Sequence, residues 1–165
     1  MALQKRLIAL DYSFLLLLGA GESQSVDAYD RLDARNFGFI ATDTTLQELA
    51  GAIDTDEAPF TGQFAHNLIP RLGRDFGIQT PGHSAAKHRI ALEISKKLRI
   101  EGLLRDSHET EALVIAEASL LGCQLLLTCA LPLLGLDSRQ INLALIESDA
   151  LAIEIVDSAQ VIRRF

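Results

Sequence analysis

Short apolar runs recur along the chain, and segments with helical character separate them. The runs lie at residues 5–10, 37–41, 123–128 and 151–156. They lack the alternation of polar and apolar residues that marks a sheet with one face in water, so they predict strands of a parallel sheet covered on both faces. We therefore expect an α/β fold, a three-layer α/β/α sandwich with a central parallel sheet. At 165 residues the chain is expected to form one domain, residues 1–165.

Helices are expected between the strands, and capping or turn residues mark several of their ends. The predicted helices span residues 13–18, 26–35, 43–53, 63–76, 84–104, 106–121, 137–147 and 158–165. Pro81 and Gly82 indicate a break between two of them. Asp106 and Glu109 have the spacing of a capping box ahead of the sixth. An acidic loop is expected at 54–59.

Charge is unevenly distributed along the chain. The net charge is −7, but residues 66–105 contain eight basic and three acidic side chains, which makes that segment +5 and the remainder −12. An acidic site beside a basic region suits a phosphodiester substrate. Hydrophobic residues make up 48% of the chain and the mean hydropathy is +0.21. This aliphatic excess predicts surface buried between subunits, as in a homodimer.

The cysteines and the N-terminal segment favour a cytoplasmic protein. Cys123 and Cys129 belong to the same predicted strand region, and a separation of about 20 Å would prevent a disulfide. His83 and His88 are too loosely spaced to indicate a zinc site. Asp11 interrupts the N-terminal apolar segment, so neither a signal peptide nor a membrane span is expected.

Three acidic residues occupy corresponding positions in successive α/β units. Asp11 directly follows the first strand, Glu48 lies early in the helix after the second, and Glu111 opens the helix before the third clear strand. Ligands of parallel sheets gather at the carboxyl ends of the strands. Carboxylates that meet there repel one another unless a cation neutralises them, and Mg²⁺ or Mn²⁺ prefers oxygen ligands. Each acid also has a structural alternative, as a loop, surface or helix-N-terminal residue.

The residues around these acids resemble the motifs of the PIN-domain family, which includes the VapC-type toxins of toxin–antitoxin pairs. LIALDYSFLL at 7–16 is similar to the opening strand and first acid of that family, and TTLQEL at 44–49 to its second motif. EALVIAEA at 111–118, followed by LLLT at 125–128, is similar to its third block. The resemblance covers most of the chain and implies a PIN-like domain.

The resemblance also implies a function and a set of site residues. PIN domains of this type are metal-dependent ribonucleases, so it implies RNA cleavage with Mg²⁺ or Mn²⁺ and an antitoxin-like partner. Asp11, Glu48 and Glu111 would be the catalytic residues and metal ligands. Ser13 and Thr128 would position ligands or phosphate by hydrogen bonds.

Two positions depart from the family pattern. The third acid is Glu111 in place of the usual Asp, and Ala130 stands where the family commonly has an Asp two residues after the strand-ending Thr. Three carboxylates suffice for one hydrated ion but poorly serve two ions about 4 Å apart. Asp137 is a candidate to supply a further ligand from its loop. The alternative function is therefore a catalytically degenerate PIN-like protein that acts through protein–protein association.

Other α/β enzymes fit the sequence less well. Gly19 and Gly21 begin a dinucleotide-binding fingerprint, but Gln24 stands at its third glycine. A haloacid-dehalogenase-like phosphatase would need a second Asp where Ser13 stands. No Gly-Lys-Ser/Thr phosphate-binding loop occurs in the sequence.

Overall fold

A five-stranded parallel sheet lies at the centre of the protein. The computed structural model describes residues 4–51 and 65–165. The strands are β1 (Leu7–Leu10), β2 (Gly38–Ile40), β3 (Ile78–Gln79), β4 (Cys123–Leu127) and β5 (Glu154–Val156). Their order across the sheet is β3-β2-β1-β4-β5, and each neighbouring pair is parallel.

Helices connect the strands and cover the sheet. They are α1 (Tyr12–Gly19), α2 (Ser23–Ala34), α3 (Asp43–Gly51), α4 (Arg71–Phe76), α5 (Ala85–Ile100), α6 (Glu109–Leu120), α7 (Leu131–Leu134), α8 (Ser138–Glu147) and α9 (Ser158–Arg164). Residues 65–68 are also helical. A 3₁₀ turn, Asp106–His108, directly precedes α6.

Alternate residues of the central strands point into different cores. Ile8 and Leu10 of β1 pack in a cluster with side chains of α1, α2 and α9. Ala9, between them, packs in a second cluster with side chains of α5, α6 and α8. All three are fully buried, and burying an Ile or Leu side chain contributes roughly 1.5–3 kcal/mol. The sheet is thus covered on both faces, and the predicted three-layer α/β/α architecture is confirmed.

Several predicted boundaries differ from the structure. The helix expected at 63–76 is interrupted before α4, where Pro70 supplies no N–H donor. The helix expected at 84–104 ends at Ile100, and Gly102 then adopts a left-handed conformation with φ of 72°. β3 and α7 were not predicted. The acidic loop at 54–59, and the ends of the helices predicted to reach residue 53 and to begin at 63, lie outside the described residues.

The capping box expected at Asp106 and Glu109 does not form. The 3₁₀ turn occupies Asp106–His108, and His108 becomes the N-cap of α6 without a side-chain capping bond. Glu109 is then the first residue of the helix, whereas a capping box requires it to be the third.

The two central strands end side by side and bring together residues that are remote in sequence. Leu10 of β1 pairs with Leu127 of β4. Asp11 and Thr128 follow these two residues, and the N–H of Asp11 donates to the carbonyl of Leu127 at 3.1 Å. The centre of the carboxyl edge therefore carries a carboxylate from one strand and a hydroxyl from its neighbour.

Both cysteines are free thiols, and Cys123 is buried. Burial raises the pKa of Cys123 to about 12 and is the main cause that raises the pKa of Cys129 to about 11. Both thiols are therefore protonated at neutral pH and poorly reactive. None of the helices in residues 4–51 and 65–165 is long and apolar enough to cross a membrane.

Candidate functional site

Asp11 is fixed in the structure by three hydrogen bonds. As the N-cap of α1 it accepts the N–H of Phe14 at 2.9 Å. Ser13 Oγ donates to its Oδ1 at 2.7 Å, and Thr128 Oγ1 donates to its Oδ2. Asp11 is only 5% exposed. Because an ionised carboxylate offers about four acceptor positions, about one remains for a further ligand.

The hydroxyl groups of Ser13 and Thr128 orient Asp11 and the chain that follows β4. Each hydroxyl has one proton, which it donates to Asp11. Ser13 Oγ also accepts the N–H of Cys129, and Thr128 Oγ1 accepts the N–H of Ala130, both at 2.9 Å. Since both protons are in use, the 3.3 Å contact between the two hydroxyl oxygens has no hydrogen to share. The primary contact of both side chains is therefore with Asp11.

The three acids singled out in the sequence line one cleft. Asp11 reaches it from the end of β1, Glu48 from α3 and Glu111 from the first turn of α6. The cleft has a volume of about 90 Å³. Its other lining residues are Tyr12, Ser13, Val114, Ala130 and Leu133. The topology thus brings together carboxylates that are far apart in the chain.

Burial and mutual repulsion raise the pKa values of two of these carboxyl groups. Burial, followed by the charges of Asp11, Glu111 and Glu117, raises the pKa of Glu48 to about 7. Burial also raises the pKa of Asp11, and the charge of Glu111 adds to this, although the hydrogen bonds to Asp11 oppose it. Burial and the charge of Glu48 raise the pKa of Tyr12. None of the described residues that line the cleft is basic, so these carboxylates have no positively charged neighbour among them.

The donor atoms of the cleft suit a hard cation. Mg²⁺ is usually held through one or two carboxylates, and waters complete its coordination. Within the two described stretches, no group of three or more His, Cys, Asp or Glu side chains is arranged to hold a metal ion. The cleft is thus compatible with a hydrated Mg²⁺ or Mn²⁺ held through fewer than three direct carboxylate ligands. Ligation by Asp11, Glu48 and Glu111 together stays a prediction.

Ala130 and Asp137 differ in their relation to the cleft. Ala130 lines it and offers no donor atom from its side chain. Asp137 is the N-cap of α8, and its Oδ1 accepts the N–H groups of Arg139 at 3.0 Å and Gln140 at 3.3 Å. It is not among the residues that line the cleft. This corrects the expectation that Asp137 reaches into the site: its carboxylate is engaged in capping its own helix.

Half of the basic residues between 66 and 105 are ion-paired. Arg71 and Arg74 pair with Asp75, Lys97 with Glu147, and Arg99 with Glu109. The basic residues without an ion pair to another described residue are Lys87, Arg89, Lys96 and Arg105.

Arg105 lines a groove next to the acidic cleft. The groove has a volume of about 570 Å³, and His108 and Leu131 also line it. It adjoins the cleft across α7, because Leu131 faces the groove and Leu133 faces the cleft.

Glu117 is a buried acid beside the cleft that was not predicted from the sequence. It lies in α6, is 1% exposed, and its Oε1 accepts the N–H of Thr44 at 3.1 Å. The His83 side chain is equally buried, with Nε2 at 3.9 Å from Glu117 Oε2. The available signal was one charged residue inside the otherwise uncharged segment ALVIAEASLL.

Comparison with solved structures gives a clear fold relationship. A chain in the crystal structure of VapBC2 from Rickettsia felis, bound to a DNA fragment from their promoter, is similar with a TM-score of 0.60 and 13% sequence identity. The similarity covers 92% of this chain and 98% of that chain. The fold is PIN-like. In this PIN-like fold the acidic cleft lies at the carboxyl edge of the central strands.

Comparison with protein-family models and with curated proteins finds no match to the chain. An identity of 13% shows the fold alone, and one fold can host different chemistries.

Proposed function

We propose that the protein is a metal-dependent endoribonuclease of the PIN type, which hydrolyses phosphodiester bonds of RNA in the cytoplasm with Mg²⁺ or Mn²⁺. One observation carries the proposal: Asp11, Glu48 and Glu111 line the same cleft. The raised pKa values of Asp11 and Glu48 support it, because carboxylates that repel one another are stabilised by a bound cation.

Three carboxylates of the cleft would hold the cation. Asp11 would ligate it through its remaining acceptor position, and Glu48 and Glu111 would contact it directly or through its waters. Ser13 and Thr128 hold Asp11 in the orientation this requires. When bound, the cation would polarise a phosphate oxygen and lower the pKa of a bound water.

RNA would reach the cleft along positively charged surface. Arg105 in the adjoining groove is exposed and has no ion pair to another described residue. Such a side chain can contact a phosphate without first breaking a salt bridge. Lys87, Arg89 and Lys96 are also exposed and would add to the attraction of the RNA backbone.

The test is cleavage of single-stranded RNA with Mg²⁺ or Mn²⁺ by the parent, Asp11→Asn and Asp137→Asn. Asp11→Asn keeps the shape of the side chain and removes its charge, so we expect kcat/KM to fall by at least about a hundredfold. Asp137→Asn is the matched control, because Asn caps a helix as well as Asp does and position 137 does not line the cleft. Equal cleavage by the parent and Asp11→Asn would refute the proposal.

A second function is supported by Ala130. Its methyl group leaves the cleft with few ligands, which favours a catalytically silent PIN-like protein that works through association with an antitoxin-like partner or a second copy. Exposed apolar side chains are consistent with association, among them Leu131 at 81% and Ile146 at 57% exposed.

Calorimetric titration with Mn²⁺ separates the two functions. Binding below millimolar concentration that Asp11→Asn abolishes supports the ribonuclease. Absence of binding, together with the appearance of cleavage in Ala130→Asp, supports the silent protein.

A further inference from the structure

The N-terminus of α3, the helix that carries Glu48, is held by a side chain from another helix. Thr42 Oγ1 caps it locally by accepting the N–H of Thr45 at 3.3 Å. The N–H of Thr44 donates instead to Glu117 Oε1 in α6, at 3.1 Å. The first N–H groups of a helix have no partner within the helix, and a negative charge is favourable beside them. Glu117 therefore acts as a cap supplied from α6.

The surroundings of Glu117 keep its carboxylate away from water. Glu117 is 1% exposed, and a buried charge is retained only where polar groups compensate it. Its Oε2 faces His83, whose side chain is also 1% exposed. Neither ring nitrogen of His83 has a hydrogen-bond partner among the described residues. The N–H of His83 donates to Asp43 Oδ2 at 3.1 Å, so the chain at His83 is tied to the first residue of α3.

Thr44 and Glu48 share one face of α3. They are four residues apart, so their side chains lie one turn from each other on the same side of the helix. The contact of Thr44 with Glu117 is made from α6, which also carries Glu111. A displacement of the first turn of α3 would therefore move Glu48 relative to Glu111.

We propose that Glu117 is a positioning residue of the cleft. Its carboxylate anchors the first turn of α3 through the N–H of Thr44 and thereby fixes where Glu48 lies. His83 closes the space behind Glu117 and excludes water from this carboxylate. The effect on catalysis rests on the proposed ribonuclease function, whereas the anchoring of α3 does not depend on it.

Two substitutions of Glu117 separate anchoring from simple packing. Glu117→Gln keeps an acceptor oxygen of the same shape, and Glu117→Leu removes it. We expect hydrogen exchange at the Thr44 amide to be about ten- to hundredfold faster in Glu117→Leu, because a hydrogen bond to a charged acceptor is lost. Exchange in Glu117→Gln should stay within about threefold of the parent, because the acceptor is retained. The amides of β4 in the same sample report any change in global stability.

RNA cleavage provides the second readout. We expect kcat of Glu117→Leu to fall by about tenfold or more with little change in KM, since displaced catalytic groups slow the reaction. Glu117→Gln should restore kcat. Glu93→Gln and Glu93→Leu, at an exposed position of α5, are the matched controls and should behave as the parent.

His83→Ala tests the closing role of the imidazole and keeps the acceptor in place if Glu117→Leu does not fold. Faster Thr44 exchange in His83→Ala is expected, because water gains access to Glu117.

Thr44 exchange that is unchanged in both Glu117→Leu and His83→Ala, measured against β4, would overturn the inference. A kcat in Glu117→Gln as low as that in Glu117→Leu would overturn it too. If the parent and every variant fail to cleave RNA, the proposed function fails, and the exchange result still decides whether Glu117 anchors α3.

Discussion

The protonation of Glu48 depends on its burial and on the acidic side chains around it. Its pKa rises from 4.5 to about 7, first through burial and then through neighbouring acids. Without a cation, the folded protein therefore binds a proton that the unfolded chain releases between these two values. The stability contributed by this proton is complete below about pH 4.5 and is lost as the pH rises through about 7.

We therefore expect the metal-free protein to lose stability as the pH rises from about 4.5 to about 7. The contribution of Glu48 is about 1–2 kcal/mol, after allowance for solvent screening of a partly exposed group. Urea unfolding in EDTA at several pH values measures it. Glu48→Gln should remove this part of the pH dependence, and the exposed control Glu93→Gln should retain it. A Glu48→Gln protein with the pH dependence of the parent would contradict the raised pKa.

The acidic residues of the cleft could be predicted from the sequence, whereas the hydrogen bonds that position them could not. Asp11 was recognisable because an acid directly follows an apolar strand, and parallel strands place such residues at one edge. The bond between Glu117 and Thr44 joins residues 73 positions apart, and no local pattern encodes a contact of that kind. The positions of Ser13 and Thr128 were likewise visible, whereas their shared bonding to Asp11 depends on the register of β1 and β4.

Among the elements, α9 shows how a local signal defines a helix end. Asp157 accepts the N–H of Gln160 at 2.7 Å, and the Gln160 side chain accepts the N–H of Asp157 at 2.9 Å. These reciprocal bonds form a capping box. The helix then packs on α2, at the opposite end of the chain. The cap therefore orients the C-terminal helix as it closes one side of the sheet.

Asp157→Ala is expected to lower the free energy of unfolding by about 1 kcal/mol, because the capping oxygen is lost and the first-turn N–H groups become unpaired. Urea unfolding at pH 7 measures the change. Asp157→Asn retains a capping oxygen and should stay close to the parent. Equal losses in the two variants would show that charge, and not the capping bond, stabilises this end of the helix.

Element length explains which parts of the architecture could be predicted. β4 has five residues, all but Gln124 apolar, and such a run identifies a buried strand. β3 has two residues and α7 has four. These lengths are too short to show the two-residue periodicity of a strand or the 3.6-residue periodicity of a helix. Pro70 accounts for the interruption before α4. A proline by itself, however, does not show whether a helix resumes after it.

At the scale of the whole molecule, the positions of the charges matter more for RNA binding than the net charge does. The net charge of −7 hides a segment of +5, and part of that segment is neutralised by local ion pairs. Exposed pairs such as Arg74–Asp75 add little stability. Their main effect is to remove charge from the surface available to RNA. The basic residues without an ion pair to another described residue are therefore expected to dominate the electrostatic attraction.

Binding of single-stranded RNA to the Asp11→Asn protein should weaken with salt, with a slope of about −0.7 per phosphate contacted in a log–log plot. Fluorescence anisotropy at several salt concentrations gives the slope. We expect Arg105→Gln to make the slope shallower by about one contact. Arg74→Gln, which removes a residue already paired with Asp75, is the control. A slope that Arg105→Gln leaves unchanged in the Asp11→Asn protein would exclude a phosphate contact at this position.

The two outermost strands are short, with two residues in β3 and three in β5. Edge strands this short expose few unpaired backbone N–H and C=O groups. Another polypeptide therefore finds little to pair with at either edge of the sheet. The strongly apolar strands β1 and β4 are shielded in the interior, where they cannot nucleate fibrils. Association of copies of this chain through the edges of the sheet is therefore disfavoured.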